Sequence, residues 1–289
     1  MTITAESGGA TGSGTADQPL LSLHGITKNF GAVQALSGVD FDIMPGKITA
    51  LVGDNGAGKS TLIKTISGIW EPTAGGMTWK GEPVSMHTPR DADALGIATV
   101  YQDLALCDNL DIVQNMFLGH ELLSHRLLDE TAMERTASKT LADLSVTTVA
   151  SVRQLVGSLS GGQRQSVAVA RAVMRDAQLV IMDEPTAALG VSQTAQVLDL
   201  VRRLGARGVA VLMISHNLND VFGVADRLAV LYLGKLVSSG PLSDYDTQSA
   251  VELITTGTLG HSDHADHPNH PDGAAPAAPS ADGTTGAGD

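Results

Sequence analysis

Between residues 20 and 257 the apolar positions fall into two kinds of run. Short, mainly apolar stretches predict buried strands at Lys47–Val52, Ile97–Tyr101, Leu179–Met182 and Val209–Ile214. Runs that are apolar on both sides suit a parallel sheet covered on both faces. Longer stretches with helical spacing separate them, at Ser60–Ser67, Ile112–Leu118, Thr131–Leu144, Gly161–Arg175 and Val191–Leu204. Gly68 is placed to stop the first of these helices. Leu20–Leu23 reads as an edge strand, and Met77–Trp79 with Val84–Met86 as a hairpin about Lys80-Gly81. Leu228–Leu233 and Lys235–Ser238 read as closing strands. From Leu104 to about Arg153 the pattern turns helical, so strand–helix–strand order at both ends brackets a helical insert. The predicted class is α/β, a sheet carrying a helical subdomain at about 104–175, with no internal repeat.

Composition sets the limits of this domain. Residues 1–19 are rich in Gly, Ser, Thr and Ala, and 261–289 in Pro, Ala, Gly and Asp; both are expected to be disordered, leaving one folded unit over 20–260. The chain carries 31 acidic and 18 basic residues, a net charge of −13. Seven of the acids lie in the two ends, which hold no Lys or Arg, so the folded part keeps 24 acids against 18 bases, a net of −6. A mildly acidic body argues against a surface that coats nucleic acid, because phosphate contacts need clustered Lys and Arg. The single cysteine, Cys107, allows no intrachain disulfide and is expected to act as a small buried hydrophobe. No secretory leader is expected from the opening residues, and no apolar run approaches the roughly 18 to 20 residues that span a bilayer, so any membrane role is expected to be peripheral. His261, His264, His267 and His270 recur every third residue, a set that suits Zn2+ or Ni2+. Pro268 and Pro271 deny them a regular helix, so a solvated polar tail is the favoured reading.

Three segments carry chemistry. Gly53-Asp54-Asn55-Gly56-Ala57-Gly58-Lys59-Ser60 fits the pattern G-x-x-x-x-G-K-[ST], follows an apolar strand and opens a helix. Its glycines let backbone N–H groups turn inward around a phosphate, and the helix presents its positive end to the same anion. Lys59 is placed to reach the β- and γ-phosphates, and the Ser60 hydroxyl to ligate Mg2+. A chance glycine-rich turn would lack that strand and helix. The strand Leu179–Met182 ends in Asp183-Glu184. An acid at that tip stands beside the phosphate loop, where Asp183 can hold Mg2+ and Glu184 can polarise an attacking water as general base. A pair of solvated acids is the alternative, and the loop upstream makes it the weaker one. Leu159-Ser160-Gly161-Gly162-Gln163 supplies a second anion nest ahead of a helix. One nucleotide needs no second nest, whereas a dimer does if each chain closes on its neighbour's ATP.

Through Leu159–Gln163, residues 20–257 resemble an ATP-binding cassette subunit, for which LSGGQ is the family signature. The resemblance implies a P-loop NTPase core with a mixed sheet, an N-terminal antiparallel β subdomain and a helical insert. It implies that Phe30 stacks on adenine, a contact tolerant of sequence. It implies that Gln102 touches Mg2+ and the attacking water and senses the membrane partner, and that His216 contacts the γ-phosphate. Without it, Phe30 reads as core, Gln102 carries no signal and His216 reads as structural or solvated. The expected nucleotide contacts are then Phe30, Gly53, Asp54, Asn55, Gly56, Ala57, Gly58, Lys59, Ser60 and Thr61 from one chain. Ser160, Gly161, Gly162 and Gln163 come from its neighbour. Gly190 departs from the family, which usually places an Asp there in a loop that crosses the dimer.

Ile26–Leu36, Tyr101–Leu106 and Glu184–Gly190 look most like bacterial importers of ribose, xylose or fructose. The resemblance thus implies an ATPase at the cytoplasmic face of the inner membrane. Its partners would be membrane-spanning permease subunits, a second copy of this chain and, indirectly, a periplasmic or extracellular sugar-binding protein, without nucleic acid. The other reading is a soluble cassette ATPase acting on nucleic acid or the ribosome. Its usual marks, two cassettes, long coiled-coil inserts or basic extensions, are missing from the sequence. A regulatory module that no longer hydrolyses conflicts with the presence of Lys59, Asp183, Glu184 and His216.

Overall fold

The computed structural model describes residues 18–259. Expectations for the two ends, including the His-rich tail, lie largely outside the described residues. Gln18, read as part of the lead, donates from its side-chain amide to the Lys80 carbonyl at 3.1 Å. The chain then runs β1 (Leu21–Phe30), β2 (Val33–Ile43), β3 (Ile48–Val52) and α1 (Lys59–Ile66). Next come β4 (Ala74–Trp79), β5 (Glu82–Val84), α2 (Pro89–Ala94), β6 (Ile97–Val100) and α3 (Ile112–Phe117). A small hairpin, β7 (Leu123–Ser124) and β8 (Leu127–Leu128), precedes α4 (Glu130–Asp143) and α5 (Gly161–Val173). The second half is β9 (Leu179–Asp183), α6 (Val191–Ala206), β10 (Ala210–Ile214), α7 (Leu218–Val224), β11 (Arg227–Tyr232), β12 (Lys235–Pro241) and α8 (Thr247–Thr256).

Two sheets organise these elements. The first is antiparallel, in the order β2-β1-β4-β5. The second is mixed, in the order β12-β11-β3-β10-β9-β6, parallel throughout except for β12. Its inner strands are apolar on both sides, and each side feeds a different core. Val180, Met182, Val211, Met213, Leu228 and Val230 pack with α5, α6 and the insert helices α3 and α4. Leu179, Ile181, Leu212, Ile214, Ala229 and Leu231 pack with α1 and the antiparallel sheet. The continuous apolar runs in the sequence therefore arise from a sheet covered on both faces.

Three expectations need correction. Leu20–Leu23 is the start of a ten-residue strand, and β1 lies between β2 and β4 instead of at an edge. Register shifts near Gly25 and Gly38, both at positive φ, break the alternation that would have revealed the rest of β1 and all of β2. The stretch from Leu104 to Arg153 is helical only at α3 and α4, and β7-β8 interrupts it. That hairpin turns through His125 and Arg126, both at positive φ, without the Gly or Asn that usually marks such a turn. Cys107 is half-buried, so it is not the core hydrophobe expected from its apolar neighbours.

Candidate nucleotide site

The parallel strands β3, β10, β9 and β6 end at one edge of the mixed sheet, and each delivers its next residues there. Ligands of open α/β sheets bind outside such carboxyl ends. β3 leads into the Gly53–Ser60 loop, β10 into Ser215-His216, β9 into Asp183-Glu184 and β6 into Tyr101-Gln102. One pocket is lined by Asn55–Thr61, Gln102, Asp183, Glu184 and His216, so residues far apart in sequence meet at the strand tips.

Packing explains the loop's glycines. A Cβ on Gly53 would lie 2.2 Å from the Leu231 carbonyl oxygen, and one on Gly58 would lie 2.7 Å from that of Ala35. Gly58, at φ +106°, caps α1 without a side chain, and the first helical bond runs from the Leu62 amide to the Gly58 carbonyl at 2.9 Å. The amides ahead of Leu62 in that first turn have no intrahelical acceptor and point toward an incoming anion. The β11–β12 turn closes the loop from outside: the Gly234 amide donates to the Ala57 carbonyl at 2.9 Å.

Lys59 folds over this loop. Its Nζ donates to the Gly53 carbonyl at 2.7 Å and to the Asp54 carbonyl at 3.0 Å. Burial lowers its pKa from the usual lysine range, opposed by the carboxylates of Glu184, Asp54 and Asp183. Asp183 is raised above the ordinary carboxylate range, first by burial and then by the charge of Glu184, with Lys59 and Lys64 opposing. Two adjacent acids sharing one half-buried corner make a site short of positive charge, which fits a divalent cation held by Asp183 and the exposed Ser60 hydroxyl. Glu184 stands at φ +50°, its amide bonded to the Ile214 carbonyl at 3.0 Å. A non-glycine residue in that conformation is strained and is held there by its surroundings. Glu184 Oε2 lies 2.8 Å from His216 Nδ1. With Glu184 as a carboxylate, which only accepts, this bond is made by the imidazole form that carries hydrogen on Nδ1.

A family model described as ABC transporter matches residues 36–187. The chain belongs to the ATP-binding cassette ATPases of that family. This cassette is 44% identical over 241 residues to the xylose/arabinose import ATP-binding protein XylG of Sulfolobus acidocaldarius, covering 83% of this chain and 96% of that one. It is 45% identical to the fructose import ATP-binding protein FrcA of Rhizobium meliloti, covering 83% and 95%. It is 41% identical to the ribose import ATP-binding protein RbsA of Roseobacter denitrificans, covering 86% of this chain and 48% of that longer one. Among solved structures it is similar to an ATP-binding cassette of an ABC transporter in its ADP conformation. There the TM-score is 0.71 at 25% identity, covering 83% of this chain and 96% of that one.

The cassette does not bring every expected residue to the pocket. Phe30 ends β1 with 41% of its surface exposed, its ring 4.7 Å from that of Trp70 in an edge-on contact. Ser160–Gln163 lie away from the pocket at the start of α5, where Ser160 Oγ accepts from the Gln163 amide and Gln163 Oε1 accepts from the Ser160 amide at 2.8 Å. Gln163 Nε2 donates to the Thr148 carbonyl, so both ends of that side chain are engaged within the cassette. Gly162 is buried against Gln193, and the Gly190 amide donates to Gln193 Oε1 at 3.4 Å. Sequence reasoning missed Trp70 and the buried acid Asp220. Asp220 Oδ2 accepts from Thr186 Oγ1 at 2.7 Å and pins the segment after Glu184 to α7. An acid in the first turn of a short helix was the available signal, and α7 was too short to be read.

Proposed function

We propose that this chain is the ATP-hydrolysing motor subunit of a membrane importer of monosaccharides, working as a homodimer. The observation that carries the reading is the split between its two anion nests. Lys59, Gln102, Asp183, Glu184 and His216 share one pocket, while Ser160 and Gly161 sit exposed outside it. A second copy that places its Ser160–Gln163 over this pocket completes the site. Lys59 then leaves the Gly53 and Asp54 carbonyls for the phosphates. Glu184, aligned by His216, takes the proton of the attacking water. Ser60, Asp183 and Gln102 would hold Mg2+, which would supply charge neutralisation for phosphoryl transfer when bound. Phe30 offers its exposed ring to adenine.

The import names of three relatives, all concerned with monosaccharides, support the cargo class. Among the described residues no helix is long and apolar enough to cross a membrane, so the permease is a separate chain in this reading. A surface groove bounded by Tyr101, Asp103, Leu104, Leu118 and Arg171 adjoins Gln102 and offers that permease a seat. The complex stands at the cytoplasmic face of the membrane, and a sugar-binding protein outside delivers cargo. Pull-down of the tagged chain from solubilised membranes is expected to recover a polytopic membrane protein. Reconstituted with it, ATP hydrolysis should rise when a sugar-loaded binding protein is added. Recovery of ribosomes or nucleic acid in its place would overturn the reading.

A further inference from the structure

After Gln102 the chain turns through Asp103, Leu104 and Ala105 before it reaches α3. One side chain grips that turn. Arg171, in the last turn of α5, donates from Nη1 to the Ala105 carbonyl at 3.0 Å and from Nη2 to the Leu104 carbonyl at 3.1 Å. A guanidinium presents its N–H groups as a rigid fork, so two successive carbonyls must hold one relative orientation to meet it. They do so because Ala105 stands at φ +48°, a conformation that non-glycine residues avoid. Asp103 closes the turn from the other side, its Oδ1 accepting from the Ala105 amide at 3.3 Å. Nearby, Arg175 pairs with Asp93, and Arg164 pairs with Asp108 while also donating to the Leu159 and Gly157 carbonyls. Arg171 directs its fork at two successive backbone carbonyls. Burial, then the charge of Arg175, lowers its pKa from the usual arginine range, with Cys107 opposing.

The helix that carries Arg171 begins at Ser160. The two residues are separated by about 16 Å of helix at 1.5 Å per residue. Val167, Ala168, Val169 and Ala170 between them are buried in the core, so α5 is braced along its length. Farther on, Asn115 is fully buried and bonds both the Cys107 amide at 2.7 Å and its carbonyl at 3.0 Å. The segment after Gln102 is thus tied to α5 through Arg171 and to α3 through Asn115.

We propose that Arg171 is a positioning residue for ATP hydrolysis, fastening the Gln102 turn to the helix that begins at Ser160. The group beside the γ-phosphate of one site and the segment offered to the other site then move as one unit. This rests on the function proposed above.

The test uses the full chain with Arg171→Ala, Arg171→Lys and, as a control, Lys59→Ala. Arg171→Ala should keep MgADP affinity and KM within about twofold while kcat falls about 10- to 100-fold, the scale of a small misplacement at a reacting centre. Arg171→Lys, with a charge but no fork, should fall between. In hydrogen exchange, MgATP should protect residues 53–61 and 160–165 of the parent chain. Only the first segment should be protected in Arg171→Ala. Should that variant fail to fold, Arg171→Gln carries the same two measurements. A folded Arg171 variant with parental kcat and protection at both segments overturns the proposal. A parent chain without ATPase activity, or Lys59→Ala as active as the parent, overturns the functional reading instead.

Discussion

Gly53–Ser60 and Ser160–Gln163 are both glycine-bearing turns ahead of a helix, yet the molecule holds them differently. The first is clasped on all sides: Leu231 and Ala35 crowd its glycines, Gly234 bonds it from outside and Lys59 folds across it. The second is capped only by its own Ser160 and Gln163, with Ser160 and Gly161 exposed and Gly162 backed by Gln193. A nest clasped at the tips of a parallel sheet can shape itself around a phosphate alone. A nest at the outer end of a helix has half a wall. In the proposed homodimer, this contrast is why a chain that carries Lys59, Asp183, Glu184 and His216 would still need a second copy to turn over.

The sharpest way to break this contrast is to remove the proposed base, Glu184, while leaving both nests intact. Glu184→Gln should lower kcat by about 10² or more, the scale of losing a general base, and should trap an ATP-bound dimer visible by size-exclusion chromatography. A fast-hydrolysing variant would move the base elsewhere. Next come the glycines themselves. Gly53→Ala sets a methyl 2.2 Å from a backbone oxygen and should cost about 2–3 kcal/mol in urea unfolding, with loss of nucleotide affinity. Gly161→Ala meets only side-chain ends, Leu189 at 2.9 Å and Gln193 at 3.8 Å, and should change stability by less than about 0.5 kcal/mol while lowering kcat. Equal costs at the two positions would erase the distinction.

The smallest effect concerns the acid corner. Asp183 has its folded-state pKa raised, so the nucleotide-free fold binds its proton more tightly than the unfolded chain does. Stability tied to Asp183 is therefore lowest well above that raised pKa and recovers as pH falls through it. Asp183→Asn should raise the melting temperature of the nucleotide-free protein by about 2–4 °C at neutral pH, for roughly 1 kcal/mol from ending the burial of a charge and then its repulsion by Glu184. That advantage should shrink in melts at lower pH and should come with weakened Mg2+-dependent nucleotide binding. A constant advantage at every pH would assign the gain to something other than charge.

The sheet core and the phosphate loop were legible because their residues have one task each. Leu179–Met182 and Val209–Ile214 are apolar since both faces are covered, and Gly53–Ser60 is glycine-rich since a backbone must pass close to a backbone. β1 and β2 were harder, because bulges at Gly25 and Gly38 shift the alternation by one position midway along each strand. The β7-β8 hairpin turned on His125 and Arg126, residues with no turn signature. Phe30, Gln102 and His216 carried no local signal and depended on the resemblance. Trp70 had neither, and the one sign for Asp220, an acid in a first turn, lay in a helix too short to read.

The clasp of Gly234 on Ala57 has a consequence for synthesis. β3 is flanked by β10 and β11, and the outer bond comes from the β11–β12 turn, so apart from the Ala35 side the loop's walls lie about 150 residues or more downstream of it. A ribosome that has made residues 1–200 has released a phosphate loop with neither flanking strand in place. Long-range closure of this kind is slow to form. The ability to hold ATP is therefore expected late, once Lys235 has cleared the exit tunnel, and a translation product ending before β11 should bind no nucleotide.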